Sequence, residues 1–331
     1  MAATIIDVAL DCGYSKATVS RAFATPEAVS RKAREKIYAS AKKLNYAPNA
    51  IARAMVTRRT ENIAFIIHEK QYPAILNPFY SPILETVLQE ANKRSYSLFI
   101  AARQDLRLPN GDIYIKKQMD GVIFAGEADP NLIAELLAQR IPVVLLNNTL
   151  ELEGLPYICA DHYLGATLAV EHLVELGHRH IGLLAGRFSR QISEARFHAT
   201  LDVLNRHSLP IDSCFMRQLE PTLEEAQECM AELLNLPDRP TAFFCTNDTI
   251  AAGAMKAILR AGLRIPQDIA LVGFDDSATS RIVEPGLTTV RIDPEQMGQL
   301  AAKTLFDMID GKAEGCPRVR LTPELIRRGT T

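Results

Sequence analysis

The chain has 331 residues, 47% of them hydrophobic, and a formal net charge of −2 at pH 7. That length exceeds what one ordinary core holds, so two or more domains are expected. No apolar run reaches membrane-spanning length, the opening MAATIIDVAL lacks the basic flank of an export signal, and the six cysteines are scattered with no C-x-x-C pair. These exclude a membrane protein, a disulfide framework and a thiolate metal site, and make the cytoplasm the expected compartment.

The near-neutral total hides an asymmetry. Residues 1–60 carry 11 Lys/Arg against 4 Asp/Glu, whereas the remainder carries 26 against 35. A small basic module on an acidic body suits a polyanion contact at one end only. Three short helices are predicted there. Thr4 and Asp7 fit a capping pattern ahead of an apolar stripe of Ile5, Val8, Ala9 and Cys12. Gly13 allows a tight turn. Ser15 then caps a second helix with Val19 and Phe23 inward and Lys16, Ala17, Ser20 and Arg21 on the opposite face, and Pro26 ends it. Ser30 caps a third helix with Ala33, Ile37, Ala41 and Leu44 inside. Two helices across a glycine turn, the second rich in outward donors, form a helix-turn-helix pattern. Lys16 and Arg21 can donate to guanine edges and Ala17 can touch a thymine methyl. Thr4, Ser15, Thr18, Ser20 and Ser30 supply hydroxyls suited to phosphates. The plainer reading is a three-helix cap with a polar surface.

The stretches IIDVALDCGYSKATVSRAF and PEAVSRKAREKIYASAKKLNYAPNAIARAM resemble the DNA-binding headpiece of the lactose-repressor (LacI/GalR) family of bacterial transcription regulators. The resemblance implies that Lys16, Ala17 and Arg21 choose the operator sequence. It also implies that PNAIARAMVTRR is a hinge helix that folds on DNA, pairs with its dimer mate and wedges an apolar side chain into the minor groove. The usual wedge is Leu; here the position is Met55, flexible but apolar. Asn49 and Arg53 are expected beside it at the groove, and Arg53, Arg58 and Arg59 at phosphates.

From residue 61 onward, Val/Ile/Leu/Phe-rich strands (NIAFII, YSLFIAA, GVIFAG, PVVLLNN, YICAD, HIGLLAG, AFFCTND, IALVGFDD, LTTVRID) are mostly separated by helical stretches at Ser81–Ser95, Asn131–Arg140, Tyr163–Leu176, Thr222–Leu234, Thr249–Ala261 and Pro294–Ile309. Near-continuous apolar strands with helical crossovers predict parallel sheets covered on both faces, in two doubly wound lobes. Polar residues collect at the strand ends: His68 and Glu69, Asn147 and Asn148, Asp161, Gly186 and Arg190, Asn247 and Asp248, Asp275 and Asp276. Ligands bind outside the carboxyl ends of strands in open α/β sheets. For Asp161 and Asp248, capping of the following helix is an equal reading; for Asp275, Asn247, Arg190 and Arg196, ligand contact is favoured.

The family likeness continues through LAVEHLVELGHRHIGLLAG, PTAFFCTNDTIAAGAMKAI, GLRIPQDIALVGFDDS and PGLTTVRID, with LIRRGTT resembling the usual last strand. It implies an all-α helix-turn-helix headpiece (1–47), a hinge and linker (48–60), and an α/β periplasmic-binding-protein-like core of two doubly wound parallel-sheet subdomains (61–331). The first subdomain would hold about 61–160 and 290–320, the second about 161–289 and 321–331. Effector contacts would fall to Arg196, Asn247 and Asp275, with Phe79, Tyr80, Asn147, Asp161 and Arg190 as further candidates. Three features depart from the pattern: Asn147 stands where many sugar-responsive members have Asp, 69–77 is lengthened, and 103–119 is shortened. No segment follows Thr331 to form the family's tetramerising helix, so a homodimer is expected.

No phosphate loop, dinucleotide fingerprint, zinc-protease motif or nucleophile elbow is present. His178 and His180 flank a strand start and make a poor metal pair, and His162 and His198 read as helix-surface residues. No catalytic residue, metal or cofactor is expected. The expected function is a dimeric repressor of a near-palindromic double-stranded DNA operator, controlled by a small effector, expected to be a carbohydrate because a polar cleft suits a hydroxylated molecule. A nucleoside- or purine-responsive regulator, an activator, and a solute-binding protein are the alternatives.

Overall fold

The computed structural model describes residues 3–47, 59–67, 75–102, 118–127, 129–150, 152, 154–187 and 190–331. The hinge residues Asn49, Arg53, Met55 and Arg58, most of the lengthened 69–77 segment and nearly all of the shortened 103–119 segment lie outside the described residues, as does the side chain of Arg190.

Three helices form the headpiece: α1 (Ile5–Cys12), α2 (Lys16–Ala24) and α3 (Arg31–Lys43). Each begins at the expected cap. Thr4 and Asp7 make a reciprocal capping box, Ser15 accepts from the Thr18 amide, and Ser30 accepts from the Ala33 amide, so each helix start has one of its orphan N–H groups satisfied. Gly13 sits at φ 72° and its amide donates to Ala9 O, the left-handed closure that glycine makes without steric cost. Val8, Ala9, Cys12, Val19, Ala22, Ile37 and Ala41 form a small core. Two polar ties hold α3 to its neighbours: Tyr38 Oη donates to Ala22 O at 2.8 Å, and Ser40 and Lys43 reach the Asp11 carboxylate at 2.7 and 2.6 Å.

The core consists of two six-stranded sheets. The first lobe contains β1 (Asn62–Ile67), α4 (Tyr80–Lys93), β2 (Ser97–Ala102), β3 (Gly121–Ala125), α5 (Pro130–Ala138), β4 (Val143–Leu146) and β5 (Tyr157–Ala160). The chain then enters the second lobe: α6 (His162–Glu175), β6 (Ile181–Gly186), α7 (Arg190–Arg206), β7 (Met216–Leu219), α8 (Leu223–Leu234), β8 (Ala242–Cys245), α9 (Asp248–Arg260), β9 (Ala270–Asp275), α10 (Ala278–Ile282) and β10 (Thr288–Arg291). It returns to the first lobe for α11 (Pro294–Ile309) and β11 (Arg318–Leu321), and ends in the second with β12 (Glu324–Ile326). The strand orders are β11-β5-β4-β3-β1-β2 and β12-β10-β9-β8-β6-β7.

The expected doubly wound α/β lobes are therefore present, with some differences in detail. Strand β12 pairs antiparallel with β10, closing an otherwise parallel sheet. Val290 and Arg291 pair with Phe274 and Asp275, so β10 belongs to the second sheet and the return crossing follows Arg291. The 17-residue helix α7, and strands β7 and β11, were not among the expected elements. Helix α7 is amphipathic only weakly, and β11 (RVRL) is an edge strand with alternating charges; neither carries the apolar run that marks a buried strand or the stripe that marks a surface helix.

One apolar cluster runs through both lobes, from Phe65, Ile123 and Val144 to Phe244, Val272 and Phe274. Helices α4 and α11 pack together against the first sheet, while α6 lies across the second. At the α4–α11 contact a Cβ on Gly298 would come within 2.8 Å of Thr86 Cβ and 2.9 Å of Ile83 O; only glycine permits that approach. No helix among the described residues is long and apolar enough to cross a membrane.

Candidate effector cleft and DNA-reading face

The carboxyl ends of the two sheets face one another. Between them lies a cleft with about 630 Å³ of empty space, part of it open to solvent, lined by Asn77, Pro78, Phe79, Tyr80 and Asn147 on the first lobe. Arg187, Ile192, Arg196, Pro221, Asn247, Thr249 and Asp275 line it on the second. That size and the mixture of apolar walls with a few convergent polar groups suit a small ligand.

Arg196 is the centre of the polar set. It lies on α7, only 3% exposed. Its Nη1 donates to Thr246 O, its guanidinium lies 3.7 Å from the Phe274 ring centroid, and Nη2 is 3.6 Å from Asp275 Oδ1. Stacking on an aromatic face and pairing with a carboxylate are the contacts a weakly hydrated guanidinium makes when buried. Burial pulls the Arg196 pKa down to about 10, with Asp275 opposing the fall. Burial likewise pushes the Asp275 carboxyl well above its usual range, and the Asp248 carboxylate adds to the rise while Arg196 resists it.

A hydrogen-bonded chain crosses from this pair to the other lobe. Arg196 Nη2 is 3.2 Å from His162 Nδ1, and His162 Nε2 is 2.7 Å from Asn147 Oδ1. Because arginine only donates, Nδ1 accepts, and the neutral ring carries its proton on Nε2 and donates it to Asn147. Asn147 Nδ2 in turn donates to Tyr80 Oη at 3.5 Å. Burial, then the neighbouring Arg196 charge, hold the His162 pKa well below normal. A second, exposed bridge joins the lobes where Thr149 N and Oγ1 reach Gln191 Oε1 at 3.3 and 3.4 Å.

Backbone strain collects at the same place. Asn147 (φ 54°), Asp275 (φ 105°) and Asp276 (φ 50°) all occupy the left-handed region, which costs about 1–3 kcal/mol for a non-glycine residue and persists only where surroundings impose it. Asp276 is fixed by Arg328 (2.6 Å), Arg291 (2.8 Å) and Ser280 (2.9 Å). Asp248, 1% exposed, accepts from Thr289 Oγ1 at 2.5 Å and the Ser277 amide at 2.7 Å; its pKa is pushed up to about 7 by burial, against those hydrogen bonds.

Of the residues expected to contact an effector, Phe79, Tyr80, Asn147, Arg196, Asn247 and Asp275 come together in this cleft. Phe79 and Tyr80 meet edge to face, ring centroids 5.1 Å apart. Asn247 lines the cleft while its Oδ1 caps α9 through the Ile250 amide at 2.8 Å. Asp161 does not join them: its Oδ1 caps α6 through the Leu164 amide at 2.9 Å, and it lines a neighbouring depression with Gln191 and Arg320. Arg190 opens α7. His162 overturns its expected place on a helix surface; it is 8% exposed. It is the first residue after a strand-ending Asp, the position where cleft residues concentrate, and that was the available signal. Asn77, Arg187 and Thr249 were also missed. Asn77 acts through its own chain, accepting the Phe79 and Tyr80 amides at 3.0 and 3.2 Å and so setting the start of α4.

In the headpiece, Lys16, Ala17 and Arg21 are exposed on one face of α2, and Thr18 and Ser20 are partly exposed beside them. Three of the expected phosphate hydroxyls, Thr4, Ser15 and Ser30, are the caps of α1, α2 and α3. They sit where helix dipoles and free amides favour an anion. Arg59, expected at a phosphate, pairs with Asp310 of the core in this structure.

Two family models match parts of the chain. Residues 4–49 match the family model for bacterial regulatory proteins of the lacI family, and 170–331 match a periplasmic binding protein-like domain. The HTH-type transcriptional repressor PurR of Haemophilus influenzae (strain PittEE) is 31% identical over 340 residues, covering 98% of both chains. The HTH-type transcriptional repressor CytR of Escherichia coli (strain K12) is 32% identical over 335 residues, covering 100% of this chain and 96% of that one. The crystal structure of the Lac repressor dimer bound to operator and the anti-inducer ONPF superimposes with a TM-score of 0.84 at 28% identity, covering 100% and 99% of the two chains. The chain belongs to the lacI family of bacterial regulatory proteins: it is a DNA-binding regulator of transcription with an effector-binding core.

Proposed function

We propose that the protein represses transcription as a homodimer on a near-palindromic operator and that a small polyhydroxylated effector, a sugar or glycoside, held between the two lobes sets its operator affinity. The observation that carries the effector assignment is the buried Arg196–Asp275 pair beside Asn247, opposite Asn147 and the Phe79–Tyr80 rings. Asp275 accepts from ligand hydroxyls, Arg196 and Asn247 donate, and the aromatic edge covers an apolar ring face. A nucleoside is the second reading, favoured by the paired rings of Phe79 and Tyr80, which suit a flat base as well as a sugar.

In this reading Lys16, Ala17 and Arg21 read base edges, and the capping hydroxyls of Thr4, Ser15 and Ser30, with Thr18 and Ser20, position the helices on phosphates. The segment bearing Asn49, Arg53 and Met55 enters the minor groove. Ligand between the lobes changes their angle and thereby the pairing of the two hinge segments. Effector and operator are then linked by one coupling free energy, of order 1–3 kcal/mol, and each alters affinity for the other by the same factor. The work is done in the cytoplasm and involves no catalysis.

A thermal-shift screen of the full chain against sugars, glycosides, nucleosides and free bases tests the assignment. A ligand at a hundred times its Kd stabilises by about 2.7 kcal/mol. Stabilisation by a sugar or glycoside supports the first reading, by a nucleoside or free base the second. Arg196→Ala should remove the shift and leave duplex binding; Arg21→Ala should do the reverse. Loss of both functions in either variant would refute the division between cleft and headpiece.

A further inference from the structure

Among the described residues, the end of the linker, Arg59 and Thr60, and the adjoining Glu61 are held by the core. The Asp120 carboxylate, just before β3, accepts from Thr60 N at 2.7 Å, Thr60 Oγ1 at 2.8 Å and Glu61 N at 3.0 Å. Arg59 reaches the carboxyl end of α11: Nη1 is 3.0 Å from Asp310 Oδ1, and Nη2 donates to Ile309 O at 3.2 Å. Asp310 is the C-cap of α11, so the guanidinium meets a carboxylate, a helix-end carbonyl and the negative end of a 16-residue helix together. Lys312 Nζ shares the carboxylate at 3.1 Å.

Arg59 closes a segment whose other cations, Arg53 and Arg58, precede it by six residues and one. A guanidinium whose two terminal nitrogens face Asp310 and Ile309 cannot at the same time present that fork to a phosphate. We propose that the carboxyl end of α11 is an intramolecular competitor for Arg59. In the form described here it withholds one cation from the DNA backbone, and it surrenders that cation when the linker engages duplex. The contact is half exposed, with the Arg59 side chain 45% accessible, and so is weak enough to exchange.

The acceptor is placed where the cleft can influence it. Helix α11 packs along α4 through the close approach at Gly298, and α4 begins with Tyr80, whose ring and that of Phe79 line the cleft. The wall that covers an effector and the acceptor that holds Arg59 belong to the same helix pair.

The proposal rests on duplex binding by this family member, and its test separates the two. Affinity for a random-sequence duplex is measured by fluorescence anisotropy across a salt series. Each phosphate contact contributes a slope of about −0.9 in log K against log salt. Asp310→Ala should steepen the slope by about that amount and tighten binding at low salt; Asp310→Asn, which retains a neutral acceptor, should give a smaller change. Asp310→Ala also releases Lys312, so the same substitution is made on an Arg59→Ala background, where the steepening should vanish. An unchanged slope, or an equal change with and without Arg59, overturns the competition.

Trypsin provides a readout that needs no DNA. Cleavage after Arg59, followed by mass spectrometry with cleavage after Arg58 as internal reference, should be several-fold faster in Asp310→Ala than in the parent. Equal rates would mean that the α11 contact does not hold Arg59 in solution, and would also overturn the proposal. A parent that binds no duplex at any salt, yet shows the proteolytic difference, would locate the failure in the DNA role.

Discussion

The two walls of the cleft are chemically unlike. The first-lobe wall is neutral: Asn77, Pro78, Phe79, Tyr80 and Asn147. The second-lobe wall holds Arg187, Arg196 and Asp275, backed by Asp248 and the Asp276–Arg291–Arg328 cluster. A ligand finds directional, charge-assisted hydrogen bonds on one side and shape with weaker bonds on the other. On the proposed reading, the second lobe grips the ligand and the first covers it. His162 is the joint between them, since it takes a hydrogen bond from Arg196 and passes one to Asn147.

The most severe test of that contrast is Arg196→Ala. It leaves Asp275 buried without its cation, and breaking a buried pair by removing one partner typically costs about 3–5 kcal/mol. Denaturant titration should show that loss together with loss of the ligand-induced shift. A larger ligand defect from Asn147→Ala than from Arg196→Ala would reverse the assignment of the walls.

Next in size is a dependence on pH. Burial raises the Asp248 pKa to about 7, above its unfolded value, and raises Asp275 as well. A carboxyl raised on folding gives stability that is whole below the unfolded pKa, near 4, and is lost as pH rises through the folded value. The ligand-free protein should therefore lose roughly 3–4 kcal/mol between pH 4 and 8 from Asp248, relative to Asp248→Asn. Denaturant midpoints that fall equally with pH in both forms would show that the second wall does not carry the strained charge. A ligand that donates hydrogen bonds to Asp275 should lower its pKa and release a proton on binding; calorimetry in buffers of different ionisation enthalpy reads that number directly.

His162→Leu should cost about 1–3 kcal/mol, because it removes the ring that donates to the buried Asn147 Oδ1 and accepts from Arg196. His162→Gln, which retains a donor and an acceptor, should recover part of it. Nitrogen-15 NMR of the histidines should show one ring held as the Nε2–H tautomer into acidic solution, and that signal should vanish in either variant. Tyr80→Phe is expected to be the mildest change, under about 0.5 kcal/mol, because the Asn147–Tyr80 bond is already 3.5 Å long. A large effect there would show that the neutral wall grips after all.

The headpiece was legible almost residue by residue, because caps, a glycine turn and an apolar stripe are local signals. Thr4, Ser15 and Ser30 sit where their side-chain chemistry predicts. The sheets were legible wherever a strand is buried on both faces, as in NIAFII and GVIFA. Helix α7 escaped because its sequence RQISEARFHATLDVLNR turns Arg196 and Thr200 inward, and buried polar side chains blur the periodicity. His162 escaped for a related reason: its burial depends on partners 15 and 34 residues away, which no local pattern contains. Asp161 was legible in both of its readings, and the structure displays the capping one. It had a site-like position, yet the start of its own helix uses its carboxylate.

The left-handed backbone at Asn147, Asp275 and Asp276 has a practical corollary for anyone hardening this protein against heat. A search for stabilising replacements guided by torsion angles alone would nominate glycine at all three positions. Each swap would relax the main chain by about 1–3 kcal/mol but delete the group that meets His162, Arg196, or Arg291 and Arg328, a loss of the same size or larger. The relaxed backbone would therefore bring no gain in heat resistance.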